Sequence, residues 1–291
     1  MPSRLVPCVH PIQRESVIAI AARRSPGRAL GLLLVVVVAS TLWFASPAFP
    51  LAWLRQWQLA SGGWVSVTLM ASVLLGGLQL LVIFGPGRQR PGDVGWRRRA
   101  LGPALLATVG LWAAMQLASV AAAWSSGTTL QPAAAWSTGL GVALGPLLAQ
   151  LLGTALMEET VFRGYLWPQL ARRLADGGAG RHAPWIGLVA SQLLFGLLHV
   201  PLQLQAGAGS EAIVGMVLML FVVGVVFALL YAATRNLFVA VGAHALGNAP
   251  TPLFEPQGPA PTMVLLAGVT ALGIGAWWWQ RRQEGRHAAG R

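Results

Sequence analysis

Three short polar clusters interrupt an otherwise apolar chain. The first is Glu158-Glu159-Thr160-Val161-Phe162-Arg163, the second runs from Phe195 to His199, and the third from His244 to Asn248. On a helix, residues four apart share a face. Glu159 and Arg163 are therefore expected to pair, acid before base. Glu158, one residue earlier, then points elsewhere and is free for chemistry. Phe195 and His199 share a face in the same way, as do His244 and Asn248. A carboxylate, an imidazole, and an imidazole with a carboxamide make a hydrolytic set. A carboxylate shielded from water can act as general base near neutral pH, and a histidine can share that task. His244 and Asn248 can donate hydrogen bonds to a developing oxyanion. Glu158, His199 and His244 are equally the right types for three zinc ligands with an open fourth position. Residue types and spacing leave both readings open.

The elements that carry these clusters are membrane helices. Of 291 residues, 55% are hydrophobic and 10% charged, against about 25% charged in a soluble domain. Mean hydropathy is +0.63. Apolar stretches long enough to cross a bilayer fall at roughly 29–46, 64–84, 101–124, 138–158, 186–202, 211–234, 236–253 and 262–279. The expected fold is an all-α polytopic bundle of about eight transmembrane helices. The 236–253 segment is the weakest, being short and followed by Pro250 and Pro252.

Charge placement fits that count. The net charge is +12, and every one of the 20 basic residues is arginine. A basic chain invites a nucleic-acid reading, but these arginines cluster between apolar runs and not along one face. With both termini in the cytoplasm, 19 of them fall inside and only Arg55 outside, as the positive-inside rule requires. That set counts Arg163 as cytoplasmic and puts Glu158 and Glu159 at the cytoplasmic end of the fourth span. Trp277, Trp278 and Trp279 before Arg281 form an interfacial belt. A basic tail before an apolar run resembles a signal peptide, with cleavage near Ala45–Ala48. The run is longer than a usual signal core, so a retained span is expected. The single cysteine, Cys8, allows no intrachain disulfide and no cysteine-rich metal site. The expected divisions are a basic cytoplasmic tail (1–28), N-terminal helices without a recognisable motif (29–134), a catalytic core (135–254), and a last helix with a basic tail (255–291).

Charged groups at membrane depth cost several kcal/mol, about 2.5–3.5 on insertion scales, and mark function by default. For His199, His244 and Asn248 taken singly, a hydrogen bond between helices is the plainer explanation. The ordered set is more specific. E-E-x-x-F-R, then F-x-x-x-H, then H-x-x-x-N, each on its own helix, resembles the CAAX protease and bacteriocin-processing (CPBP) family, which includes the type II CAAX prenyl endopeptidases and Abi-type members. The apolar run with Phe221 and Gly224 resembles the family's weaker third motif. The likeness runs from about Leu140 to Ala249.

The resemblance implies an intramembrane protease with its site open to the cytoplasmic half. Glu158 and His199 would activate water, His244 and Asn248 would stabilise the oxyanion, and Glu159 and Arg163 would support them. Zinc held by Glu158, His199 and His244 stays an option beside a metal-free glutamate mechanism. The partners expected are the bilayer and a membrane-associated peptide or protein substrate, with no nucleic acid. Arginine in place of lysine, with abundant alanine and glycine, fits a GC-rich bacterium and its inner membrane. Two other classes are compatible with the same residues: a non-catalytic scaffold or chaperone of this fold, and a proton-coupled carrier. There is no H-E-x-x-H, no P-loop and no dinucleotide fingerprint.

Overall fold

The structure is a computed structural model and describes residues 23–289, with side chains to Arg286. Arg4, Arg14, Cys8 and most of the expected basic tail lie outside the described residues. The helices are α1 (Gly27–Phe44), α2 (Leu51–Ala60), α3 (Val67–Phe84), α4 (Leu101–Ser126), α5 (Ala134–Thr138), α6 (Leu140–Leu152) and α7 (Thr154–Glu158). A π-helical segment (Glu159–Leu166) leads into α8 (Trp167–Leu174). There follow α9 (Ala183–Leu197), α10 (Val200–Gln205), α11 (Ser210–Thr234), α12 (Leu237–Asn248) and α13 (Pro261–Ala289). Among the described residues the β-structure is one isolated bridge, Pro132 to Phe254.

All eight expected segments contain helix. Among the described residues, six helical stretches are long and apolar enough to cross a membrane. One of them, Leu140–Gln205, is a continuous path of 66 residues that holds two of the expected passes. The 12-residue α12 is about 18 Å long at 1.5 Å per residue, short of the roughly 30 Å hydrocarbon layer. It is a buried central helix, with Leu237 and Val239 to Leu246 all enclosed. Asn236 fixes its start: the side-chain oxygen accepts from the Phe238 amide at 3.0 Å, and Nδ2 donates to the Ala100 carbonyl at 2.7 Å.

The fourth expected span needs correction. It does not stop at Glu158. After a break at Gly153, α7, the π-helical segment and α8 carry the chain on to Leu174. Every residue from Glu159 to Gln169 is buried. Glu158 and Glu159 thus sit well inside the bundle, and Arg163 is an interior residue, not a cytoplasmic loop charge. The helix can continue because the arginine's charge is met inside the protein instead of by water.

The arginine-rich end is tied together by polar contacts. Ser25 Oγ donates to the Gly87 carbonyl at 2.7 Å, the Ser25 amide donates to Gln169 at 2.9 Å, and Arg173 donates to the Ser25 carbonyl at 2.7 Å. Arg23 pairs with Asp93 at 3.2 Å. Above this knot lies an apolar cluster that includes Leu33, Ile83, Val94, Tyr165 and Leu166. These contacts tie the segment before α1 and the segment after α3 to α8 at one end of the bundle.

Candidate active site

Glu159 and Arg163 do pair: Arg163 Nη1 lies 3.0 Å from Glu159 Oε1, and both side chains are fully buried. Burying two charges costs free energy unless each is well partnered, and here the partners are specific. Arg163 Nη2 donates to the Gly224 carbonyl of α11 at 3.2 Å. Its guanidinium also lies over the Phe195 ring, 4.8 Å from the centroid. Gly224 is required for that approach. A Cβ there would stand 2.7 Å from Gln192 Oε1 and 3.1 Å from Arg163 Nη2.

The same carboxylate oxygen reaches a third helix. His244 Nδ1 is 2.8 Å from Glu159 Oε1. Its other nitrogen, Nε2, is 3.5 Å from Glu158 Oε2. The imidazole therefore stands between the two adjacent glutamates, stacked on Phe227 at 5.3 Å. Because Glu159 can only accept when ionised, His244 donates from Nδ1 and faces Glu158 with Nε2. The two glutamates differ sharply in setting: Glu159 is sealed, whereas the Glu158 side chain keeps 26% of its surface open.

That surface opens into a cavity of about 290 Å³. Glu158, His199, Gln150 and Phe195 line one side, from the motif-bearing helices; the other side comes from α1 and α3, for example Ser40, Phe44, Ser72 and Gln79. His199 follows the end of α9. Its Nδ1 is 2.8 Å from the Phe195 carbonyl, so donation there leaves Nε2 as an acceptor. Asn248 is an exposed residue one helical turn beyond His244. Its amide donates to Gln150 Oε1 at 3.0 Å, which links it to the cavity wall. The expected set is thus only partly convergent. Glu158 and His199 line the cavity, His244 stands directly behind Glu158, and Asn248 is joined through Gln150.

The zinc option can be tested on donor geometry. Among the described residues no group of three or more His, Cys, Asp or Glu is gathered so as to hold a metal ion. His244 Nδ1 is bonded to Glu159 and His199 Nδ1 to a backbone carbonyl, which leaves the Nε2 atom of each open.

Residues 140–250 match the family model described as type II CAAX prenyl endopeptidase Rce1-like. This segment is Rce1-like. No curated protein and no solved structure matches the chain. The Rce1-like segment carries all six candidate site residues of the three clusters, and the match agrees with the resemblance seen in the motifs. Together with the six long apolar helices among the described residues, it supports an integral membrane protein with a segment similar to CAAX proteases. The cavity wall from α1 and α3 lies outside the Rce1-like segment.

Sequence reasoning missed three contributors. Gln150 is an unremarkable glutamine in an apolar run. Gln192 gave no signal. The cavity-lining residues of α1 and α3 carry no motif; the only hint was the small and hydroxylated residues at Ser40, Thr41, Ser72 and Gly76.

Proposed function

We propose that the chain is an intramembrane endopeptidase that hydrolyses a peptide bond of a membrane-associated substrate. The observation that carries this reading is the Glu159–His244–Glu158 array, one end sealed and the other facing a cavity. Water in the cavity gives a proton to Glu158, and its oxygen attacks the carbonyl carbon. His199, with Nε2 as acceptor, shares the task of orienting that water. The developing oxyanion takes hydrogen bonds from the Asn248 amide and from His244 through Nε2 when both imidazole nitrogens carry hydrogen. The proton then passes to the amine nitrogen as the C–N bond breaks, releasing a carboxylic acid and an amine, which become carboxylate and ammonium by moving the acid's proton to the amine. Glu159 and Arg163 are positioning residues: they fix the imidazole's orientation and touch no reacting atom. Positive-inside placement of the arginines and the composition favour a bacterial inner membrane with cytoplasmic termini.

The test is cleavage of a quenched fluorescent peptide library by the detergent-purified protein. Glu158→Gln is expected to lose about 10²–10⁴-fold in rate, the usual contribution of a general base, with an unchanged melting curve. Full activity in Glu158→Gln would overturn the mechanism.

A further inference from the structure

The cavity has a direction. The antiparallel helices give each lining residue a height above the arginine-rich end. On α1, which starts at that end, the lining residues are Val37, Ser40, Thr41 and Phe44, all from its far half. On α3, which ends there, they run from Thr68 near its far start to Gln79. The α9 contribution comes from Phe195 onward, at that helix's far end, and Leu202 of α10 lies beyond it. Gln79 is the lining residue of α3 nearest the arginines, about 8 Å along the helix from its end.

Below the cavity the bundle is closed. Leu30 and Leu33 of α1, Val82 and Ile83 of α3, and Tyr165 and Leu166 of the π-helical segment form one buried cluster. This plug separates the cavity from the knot of Ser25, Gln89, Gln169 and Arg173. Water or peptide reaching Glu158 from the arginine-rich end would have to pass through it.

We infer that the cavity is entered from the membrane face opposite the arginine-rich end. With the arginines in the cytoplasm that face is the outer one, the reverse of the cytoplasmic opening that the family resemblance implies. The substrate class, which rests on the peptidase reading, is then a peptide or membrane-protein segment presented at the outer half of the bilayer. The lining fits an uncharged segment: among the described residues Glu158 and His199 are its ionisable groups, and no arginine faces it. A substrate's terminal carboxylate would find no cation there, which favours cleavage within a chain over trimming from its end.

The test uses single-cysteine proteins in a Cys8→Ser background, since Cys8 is the native cysteine. Thr41→Cys and Gln79→Cys probe the cavity, and Arg181→Cys marks the arginine-rich end. Each is treated with a membrane-impermeant maleimide in right-side-out spheroplasts and in inverted vesicles. Both cavity cysteines are expected to label from one side only, in spheroplasts, and Arg181→Cys only in inverted vesicles. Gln79→Cys is decisive because of its position low on α3. Labelling of the cavity cysteines from the same side as Arg181→Cys, or from neither side while detergent-solubilised protein labels, would overturn the inference. Peptide cleavage in detergent is measured in parallel. Far-side labelling without cleavage would sink the peptidase reading and leave the access route standing; cleavage with same-side labelling would do the opposite.

Discussion

His244 and Glu159 lie 85 positions apart in the chain and meet at 2.8 Å through one imidazole nitrogen and one carboxylate oxygen. That contact turns the second glutamate of the pair from a salt-bridge partner into the residue that aims the histidine. The carboxylate is shared between a guanidinium and an imidazole, so neither can be changed alone without disturbing the other.

Glu159→Ala leaves Arg163 buried without its acid. Loss of one partner of a buried pair costs about 3–5 kcal/mol, and a clear drop in thermal unfolding temperature in detergent is expected. The double variant Glu159→Leu, Arg163→Met removes both charges and is expected to regain most of that stability. It should remain inactive, because His244 has lost its orienting acceptor. Recovery of cleavage together with stability would show that Glu159 serves the fold alone.

Gly224→Ala is expected to destabilise by about 1–3 kcal/mol, the usual cost of overpacking. The added methyl meets Gln192 Oε1 at 2.7 Å, so shortening that side chain should relieve it. A thermal-melt double-mutant cycle with Gln192→Ala checks this: the two changes should be markedly non-additive.

Gln150→Leu removes the acceptor that holds the Asn248 amide. Deleting an oxyanion donor outright costs about 10²–10³-fold in kcat. Asn248→Ala should approach that range, and Gln150→Leu should lose less, with KM little changed in both. A rise in KM at constant kcat would instead make Asn248 a ground-state binding residue.

The donor geometry predicts that cleavage persists in a strong chelator, since the three candidate ligands do not converge. Activity abolished by chelation and restored by added zinc would mean that His199 and His244 reorganise to bind metal. Metal analysis of the purified protein gives an independent readout.

Much of the fold was legible because lipid demands long apolar runs, and each of the eight runs contains helix. The Glu159–Arg163 pair was legible because four-residue spacing is local. The boundary at Glu158 was misread for the converse reason. Arg163 looks like a loop charge until its partners at Gly224 and His244 are known, and those come from distant helices. The Gln150–Asn248 bond and the α1–α3 wall were hidden too. Glutamine and small residues in apolar segments carry no periodic signal, and their meaning depends on which helix packs opposite.

The π-helical winding of Glu159–Leu166 has a consequence for the kinds of change this chain can absorb. The Trp167 amide donates to the Phe162 carbonyl, five residues back, so the turn holds one residue more than ordinary α-winding would. Substitutions there alter shape, but removing a single residue lets the turn tighten and rotates everything before it relative to α8. Glu158 would swing away from both His244 and the cavity. Length across this short stretch therefore shapes the candidate site as much as the identity of its side chains does.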